Sequence, residues 1–232
     1  MPDWLPELVA SVLAAVLAIT LHEAAHGYAA LWLGDPTARE AGRLSLNPLR
    51  HVDPMGTLLV PGVLLVSQLL TIGQVQMMFG WAKPVPVNIR RLRDPRFGMV
   101  AVAAAGPAIN VFLAFVAALL WHPVQAAELP DAASGWLFHF LGMLVLANLI
   151  LGLFNLIPLP PMDGGRILGG LLPPAIGIPF LRLERFGLLL VLGVLFVLPQ
   201  LVSAWTPMEW LLRYAVSPVL QLVLRVAGHA LP

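Results

Sequence analysis

The segment Leu21-His22-Glu23-Ala24-Ala25-His26-Gly27 sets two imidazoles and a carboxylate inside one stretch of an otherwise apolar run. The pattern is H-E-x-x-H. At 3.6 residues per turn His22 and His26 leave the same helix face one turn apart, so both can meet a single tetrahedral metal ion. Glu23 stands beside them and can take a proton from water acidified by that metal, then deliver it to a leaving amine. This is the chemistry of metal-assisted hydrolysis. A polar helix bundle could house the same three groups without metal. Random placement, however, gives the pattern in only about 0.4% of chains of this composition. Each ionisable group at membrane depth also costs about 2.5 to 3.5 kcal/mol, so three together call for a compensating ligand.

A catalytic zinc takes a third protein ligand and keeps one position open. The apolar run ending near Ile157 continues as Asn155-Leu156-Ile157-Pro158-Leu159-Pro160-Pro161-Met162-Asp163-Gly164-Gly165-Arg166. Prolines break the helix and an acid follows, which makes Asp163 the candidate third ligand. Proline withholds amide donors, and backbone opened in this way is tolerated at membrane depth only inside protein or against a wet cavity. Hydrolysis needs such a cavity. Gly164 and Gly165 allow a tight turn and close approach to a metal or a neighbouring helix. Taken alone the stretch also reads as an ordinary exit loop; the lone acid gains meaning because H-E-x-x-H lacks a third ligand. A third feature is Gly106-Pro107-Ala108-Ile109-Asn110, preceded by Ala103-Ala104-Ala105. Small residues permit close helix packing, and Asn110 either bonds a neighbouring helix or faces substrate.

In this order H-E-A-A-H, G-P-A-I-N and N-L-I-P-L-P-P-M-D-G resemble the site-2 protease family of intramembrane zinc metalloproteases. Gly42-Arg43-Leu44-Ser45-Leu46-Asn47-Pro48 and Gly80-Trp81-Ala82-Lys83-Pro84-Val85-Pro86-Val87-Asn88 are similar to segments of its small bacterial-type members. The resemblance covers most of the chain. It implies that His22, His26 and Asp163 hold Zn2+, that Glu23 is the general base, and that Asn155 positions substrate or stabilises the oxyanion. The implied activity is that of a zinc metalloendopeptidase cleaving in or next to transmembrane segments of membrane protein substrates. The implied location is a bacterial-type cell (inner) membrane, multi-pass. The sequence departs from larger members in having neither a PDZ insertion nor CBS domains. Met162 stands where leucine is usual, a swap of similar volume. A metal-ion transporter could use the same ligands as a transit site, and an inactive membrane scaffold could carry them idle. A transporter would show structural repeats or several polar pathway residues per face, and Glu23 is not needed to bind metal.

The elements that must position these residues are apolar. The chain has 232 residues, 59% hydrophobic and 11% charged, which is membrane composition. Apolar runs cover about 8–33, 55–79, 97–121, 136–157, 186–200 and 208–226, several near the ~20 residues of a spanning helix. The fold class is therefore an all-α polytopic membrane protein with five to six transmembrane helices. Residues 1–232 read as a single membrane-embedded metalloprotease domain, with core helices 8–33, 97–121 and 136–157 and accessory helices 186–200 and 208–226. The start, Met1-Pro2-Asp3-Trp4, lacks the basic region and small-residue cleavage site of a signal peptide, so the first helix is expected to be retained. Without cysteine there is no thiolate zinc site and no cysteine nucleophile. A net charge of +1 argues against nucleic acid as a partner; the lipid bilayer and a transmembrane protein substrate are the expected partners. Nothing in the sequence fixes an oligomeric state.

The ligands lie toward the C-terminal ends of the first and fourth runs, so those helices should run parallel, with an odd number of crossings between them. The 97–121 run provides one. The 55–79 run is too short for two spans and is expected to be re-entrant, with Pro61-Gly62 as one turn. This scheme gathers Arg39, Arg43, Arg50, Lys83, Arg90, Arg91, Arg93, Arg96, Arg166, Arg182 and Arg185 on the cytoplasmic face, leaving the amino end outside and the carboxyl end cytoplasmic. Arg43-Leu44-Ser45-Leu46 alternates like a strand, which predicts a short β-hairpin after the first helix, either a substrate-pairing edge or a surface link. His51, His122, His139 and His229 lie outside the motif spacing and are left out of the site; His51 could fold back over it. Trp4, Trp81, Trp121, Trp136, Trp205 and Trp210 read as interfacial anchors, and Asn148 as a bond between helices.

Overall fold

The computed structural model describes residues 4–71, 73–74, 80–202 and 206–230. Trp205 and part of the 55–79 run, residues 72 and 75–79, lie outside the described residues. In chain order the α-helices are α1 (Trp4–Trp32), α2 (Thr37–Glu40), α3 (Val60–Thr71), α4 (Pro95–Ala126), α5 (Asp131–Asn155), α6 (Asp163–Leu171), α7 (Pro174–Leu181), α8 (Gly187–Leu192), α9 (Leu198–Leu201), α10 (Pro207–Leu211) and α11 (Ser217–Val226). A π-turn over Pro54–Leu59 leads into α3, another over Gly193–Val197 joins α8 to α9, and a third over Leu212–Val216 joins α10 to α11. Among the described residues four helices are long and apolar enough to cross a membrane: α1, Pro54–Thr71, α4 and α5.

Helix α4 starts where Asp94 accepts from the amides of Arg96 and Phe97 and Pro95 takes the first position, where a missing amide costs nothing. The start of α5 docks on the start of α1, through Trp136 Nε1 donating to the Pro6 carbonyl at 2.9 Å. Further along, Asn110 of α4 reaches both the Ala18 carbonyl of α1 and Asn148 of α5, so α1 and α5 run parallel, with α4 antiparallel to both. Small residues let the three approach. A Cβ on Gly152 of α5 would sit 3.0 Å from Cβ of Asn110, so a larger residue there would push the helices apart by a few tenths of an ångström.

The two ends of the excursion that begins at residue 57 lie together. The Trp81 amide donates to the Gly56 carbonyl at 3.1 Å, and Thr57 Oγ1 donates to the Trp81 carbonyl at 2.9 Å. The chain thus leaves and returns at one end of the bundle. The turn expected at Pro61-Gly62 is not there, because helix continues through both. The wide π-turn just before Pro61 removes the carbonyl clash that would otherwise break the helix.

The expected β-hairpin is also absent: among the described residues there is no strand, and Arg43–Ser45 is irregular. The backbone that could have paired with it, residues 80–88, is instead pinned elsewhere. Its Lys83 amide donates to the His51 carbonyl at 2.8 Å, and Pro84 and Pro86 have no amide to donate. Of the two leucines in Arg43–Leu46, Leu44 packs on α1, its Cδ1 3.0 Å from where a Cβ on Gly27 would be, while Leu46 is exposed.

The carboxyl end departs from the expected topology. Pro207, Met208 and Leu211 line a small cavity with Phe154, Ile157, Leu159 and Met162, at the end where α5 gives way to the Asp163 loop. The far end of the continuous helical stretch α10–α11, from Pro207 to Val226, lies along the last turns of α4. There His122 Nε2 pairs with the Ala227 carbonyl at 2.7 Å, and His229 Nε2 with that of Ala118 at 2.9 Å. Residue 229 therefore sits at the same end of the bundle as the amino end, opposite Arg96. The reason is length. The helical stretch from Gly187 to Leu201 rises only about 22 Å at 1.5 Å per residue, short of the ~30 Å hydrocarbon core, and is not among the described helices long enough to span it.

Candidate metal centre

Three elements converge on the site. Helix α1 brings His22 and His26, α6 brings Asp163 as its first residue, and α4 lies against them with Gly106 at the contact. His22 Nε2 and His26 Nε2 are 3.1 Å apart, and Oδ2 of Asp163 lies 3.2 Å from the first and 3.3 Å from the second. His22 and Asp163 are buried, at 4% and 6% exposure.

These distances fit a metal. Zinc arms of about 2.0 to 2.1 Å subtend edges of about 3.3 Å in a tetrahedron, close to all three measured sides. The remaining ring nitrogens already have acceptors: Nδ1 of His22 lies 2.5 Å from Oδ1 of Asn110, and Nδ1 of His26 lies 2.7 Å from the Val102 carbonyl. With the hydrogens at Nδ1, both Nε2 lone pairs face one carboxylate oxygen, and Oδ2 of Asp163 is buried without a hydrogen-bond partner. A cation satisfies all three. The other histidines are engaged elsewhere. Nε2 of His51 pairs with the Ser45 carbonyl at 2.9 Å, and His139 lies 3.4 Å from Ser11 Oγ.

Local sequence explains the placement. Pro107 has no amide to give the Ala103 carbonyl, and the carbonyl that receives His26 is that of the neighbouring Val102. A Cβ on Gly165 would lie 2.5 Å from the backbone nitrogen of Pro160, so α6 can begin pressed against its own loop only because glycine stands there. At the other end of α6, Nε of Arg96 donates to the Gly170 carbonyl at 2.6 Å and Nη2 to that of Leu172 at 2.8 Å. A cation at the helix C-terminus meets both the open carbonyls and the negative pole of the dipole.

Glu23 follows His22 on α1 and is engaged by the 80–88 segment, to which the sequence assigned no contact with the site. Residues 80–88 form an irregular strap, and the Val85 amide donates to Glu23 Oε2 at 3.0 Å. The signal was present in Pro84-Val85-Pro86, where Val85 alone has an amide hydrogen. The strap is tied at Asn88, whose amide reaches Oδ2 of Asp35 at 2.5 Å, and at the Lys83 carbonyl, which accepts from Nη2 of Arg43 at 2.8 Å. Asp35 is fully buried. Burial alone would raise its pKa, but the Thr37 hydroxyl, the Asn88 and Thr37 amides and the charge of Arg91 hold it below 3.8. Asn155, the last residue of α5, turns its Nδ2 back to the Leu151 carbonyl at 3.0 Å. Asn110 and Asn148 are fully buried and bonded to each other, Nδ2 to Oδ1, at 2.7 Å.

The profile of peptidase family M50 matches residues 118–198. YwhC of Bacillus subtilis (strain 168), which bears the name of a zinc metalloprotease, is 42% identical over 190 residues, spanning 81% of this chain and 80% of YwhC. The chain belongs to peptidase family M50. Rip2 of Mycolicibacterium smegmatis, named likewise, is 29% identical over 80% of this chain and 66% of its own length. Rip2 of Mycobacterium tuberculosis (strain H37Rv) is 29% identical over 82% of this chain and 67% of its own length. No solved structure matches the chain at a significant level. This M50 protein is a membrane zinc metalloprotease, and the resemblance to site-2 proteases holds.

Proposed function

We propose that this chain is an intramembrane endopeptidase that cleaves in or next to transmembrane segments of other membrane proteins. His22, His26 and Asp163 hold its zinc, Glu23 is the general base, and Asn155 positions substrate or stabilises the oxyanion. The observation that carries the reading is a buried three-ligand triangle set among helices apolar enough to span a bilayer. Soluble substrates have no access to such a site without a wet cavity.

A zinc ion held by His22, His26 and Asp163 would supply Lewis-acid chemistry, polarising the scissile carbonyl and lowering the pKa of water. Glu23 then takes the water proton on a carboxylate oxygen while oxygen adds to the carbonyl carbon. When the C–N bond breaks, Glu23 returns that proton to the leaving nitrogen. The Val85 amide on Oε2 orients the carboxylate and leaves its second oxygen for the proton. Asn155 stands one short loop before Asp163; to meet substrate, its Nδ2 gives up the Leu151 carbonyl.

The zinc end of the bundle faces the cytoplasm of a bacterial-type inner membrane, and the 55–79 segment enters and leaves on that side. Support comes from basic loops that the fold gathers at this end, through Arg91 Nη1 on Oε2 of Glu40 at 2.6 Å and Arg96 on α6. The chain has no cysteine, so single engineered cysteines at 50, 90 and 130 report sidedness cleanly. Positions 50 and 90 should label together, and opposite labelling overturns the topology.

The activity test is purified protein with zinc and a model transmembrane peptide, wild type against Glu23→Gln. Cleavage should fall by a factor of about 10² to 10⁴ with zinc content unchanged. Undiminished cleavage removes Glu23 from the mechanism, and zinc flux that survives the substitution points to transport.

A further inference from the structure

Asn110 lies on α4 one turn beyond Gly106, and its two amide atoms are both engaged. Oδ1 faces Nδ1 of His22 at 2.5 Å, and Nδ2 donates to Oδ1 of Asn148 at 2.7 Å. Nδ2 of Asn148 in turn donates to the Leu144 carbonyl at 2.8 Å. Both asparagines are fully buried, so water does not substitute for any of these partners.

The direction of this chain follows from its last member. A backbone carbonyl only accepts, so Asn148 must present Nδ2 to Leu144 and Oδ1 to Asn110. Asn110 must then present Nδ2 to Asn148, which leaves Oδ1 toward His22. An oxygen there accepts, so Nδ1 of His22 must carry the hydrogen, and its Nε2 lone pair must point at His26 and Asp163. Every step is forced by donors and acceptors. His26 reaches the same tautomer in one step, through the Val102 carbonyl.

We propose that Asn110 is a positioning residue for His22 and that Asn148 orients Asn110, so that an amide relay anchored on the Leu144 carbonyl sets the metal-binding nitrogen. This rests on the reading of His22 as a zinc ligand. Outer partners of ligating histidines fix ring orientation and tautomer, and their loss typically costs 10 to 100-fold in metal affinity. Gly106 and Asn110 divide the task on one face of α4: the glycine admits the imidazoles and the asparagine orients one of them.

The test uses full-length protein in detergent, comparing wild type, Asn110→Leu, Asn110→Asp and Asn148→Leu. Zinc affinity is read by chelator competition, and the ¹⁵N histidine spectrum of metal-free protein gives the tautomer, with His22 assigned from His22→Gln. Wild type should show the Nδ1–H form at His22. Asn110→Leu should lose that form and about 10 to 100-fold in zinc affinity. Asn110→Asp keeps an acceptor facing Nδ1 and should stay within about threefold, while Asn148→Leu should fall between. A purely structural role predicts equal losses for the two leucine variants and no rescue by aspartate; either result overturns the relay. An Nε2–H form in the wild type overturns it as well, even if no variant folds. Wild type that binds no stoichiometric zinc defeats the metal reading instead, while the spectrum still tests the relay.

Discussion

Gly106→Ala is the sharpest test of how the centre is built. A Cβ at this position would stand 2.5 Å from Cε1 and Nε2 of His26 and 2.6 Å from Cε1 of His22. Ordinary contacts between such atoms fall at about 3.5 to 4.0 Å, so both rings would have to retreat by about 1 Å. A metal site tolerates roughly 0.2 Å in its ligand distances, so the triangle cannot survive that movement. Overpacking also costs the fold about 1 to 3 kcal/mol, less than most folds hold in reserve. The expected phenotype is a folded protein with zinc affinity down by at least about 100-fold, or about 2.7 kcal/mol, and peptide cleavage lost in parallel. Metal per chain after dialysis against buffered zinc, with a melting curve of the same sample, reads both quantities. Gly142→Ala is the control: nothing lies within 4 Å of its Cβ, and alanine in a helix should be neutral or slightly stabilising. If Gly106→Ala binds zinc as tightly as wild type, the close approach of α4 to the imidazoles does not shape the site.

Val85→Pro deletes the one amide in Pro84-Val85-Pro86 and should lower kcat on a model peptide by about tenfold with zinc content intact. An unchanged kcat would show that the strap does not orient Glu23. The depressed pKa of Asp35 adds stability that is present above about pH 3.8 and lost as pH falls through its lower folded value. The melting-temperature gap between wild type and Asp35→Asn should therefore be constant above about pH 5 and shrink below about pH 4. A gap independent of pH would contradict this. Removing zinc with a chelator should abolish cleavage and lower the melting temperature, and added zinc should restore both; a melting curve blind to the chelator would argue that the triangle binds no metal.

Much of the site was legible because its signals are local. His22, Glu23 and His26 belong to one helix, and helical period alone puts the two imidazoles on one face. Asp163 was legible by elimination, as an acid after a broken apolar run. Gly106 and Asn110 could be noticed but not given tasks, since packing and hydrogen bonding both suit small and amide residues. The strap at Val85 carried a proline signature whose partner lies far away in sequence. Alternation at Arg43–Leu46 suggested a strand, but only Leu44 of its two leucines packs, on α1, and Leu46 is exposed.

Composition and periodicity by themselves determined that the chain is helical, membrane-embedded and equipped for metal chemistry, because burial in lipid and helix geometry act on neighbours a few residues apart. Tertiary structure alone decided which side chains meet: Asp163 on the two imidazoles, Val85 on Glu23, and an asparagine pair behind His22. It also decided that Ala227 and His229 end beside Ala118 and His122. Those contacts join residues dozens of positions apart. Their directions are set by helix length, by glycine-sized gaps and by the demand that every buried donor find an acceptor.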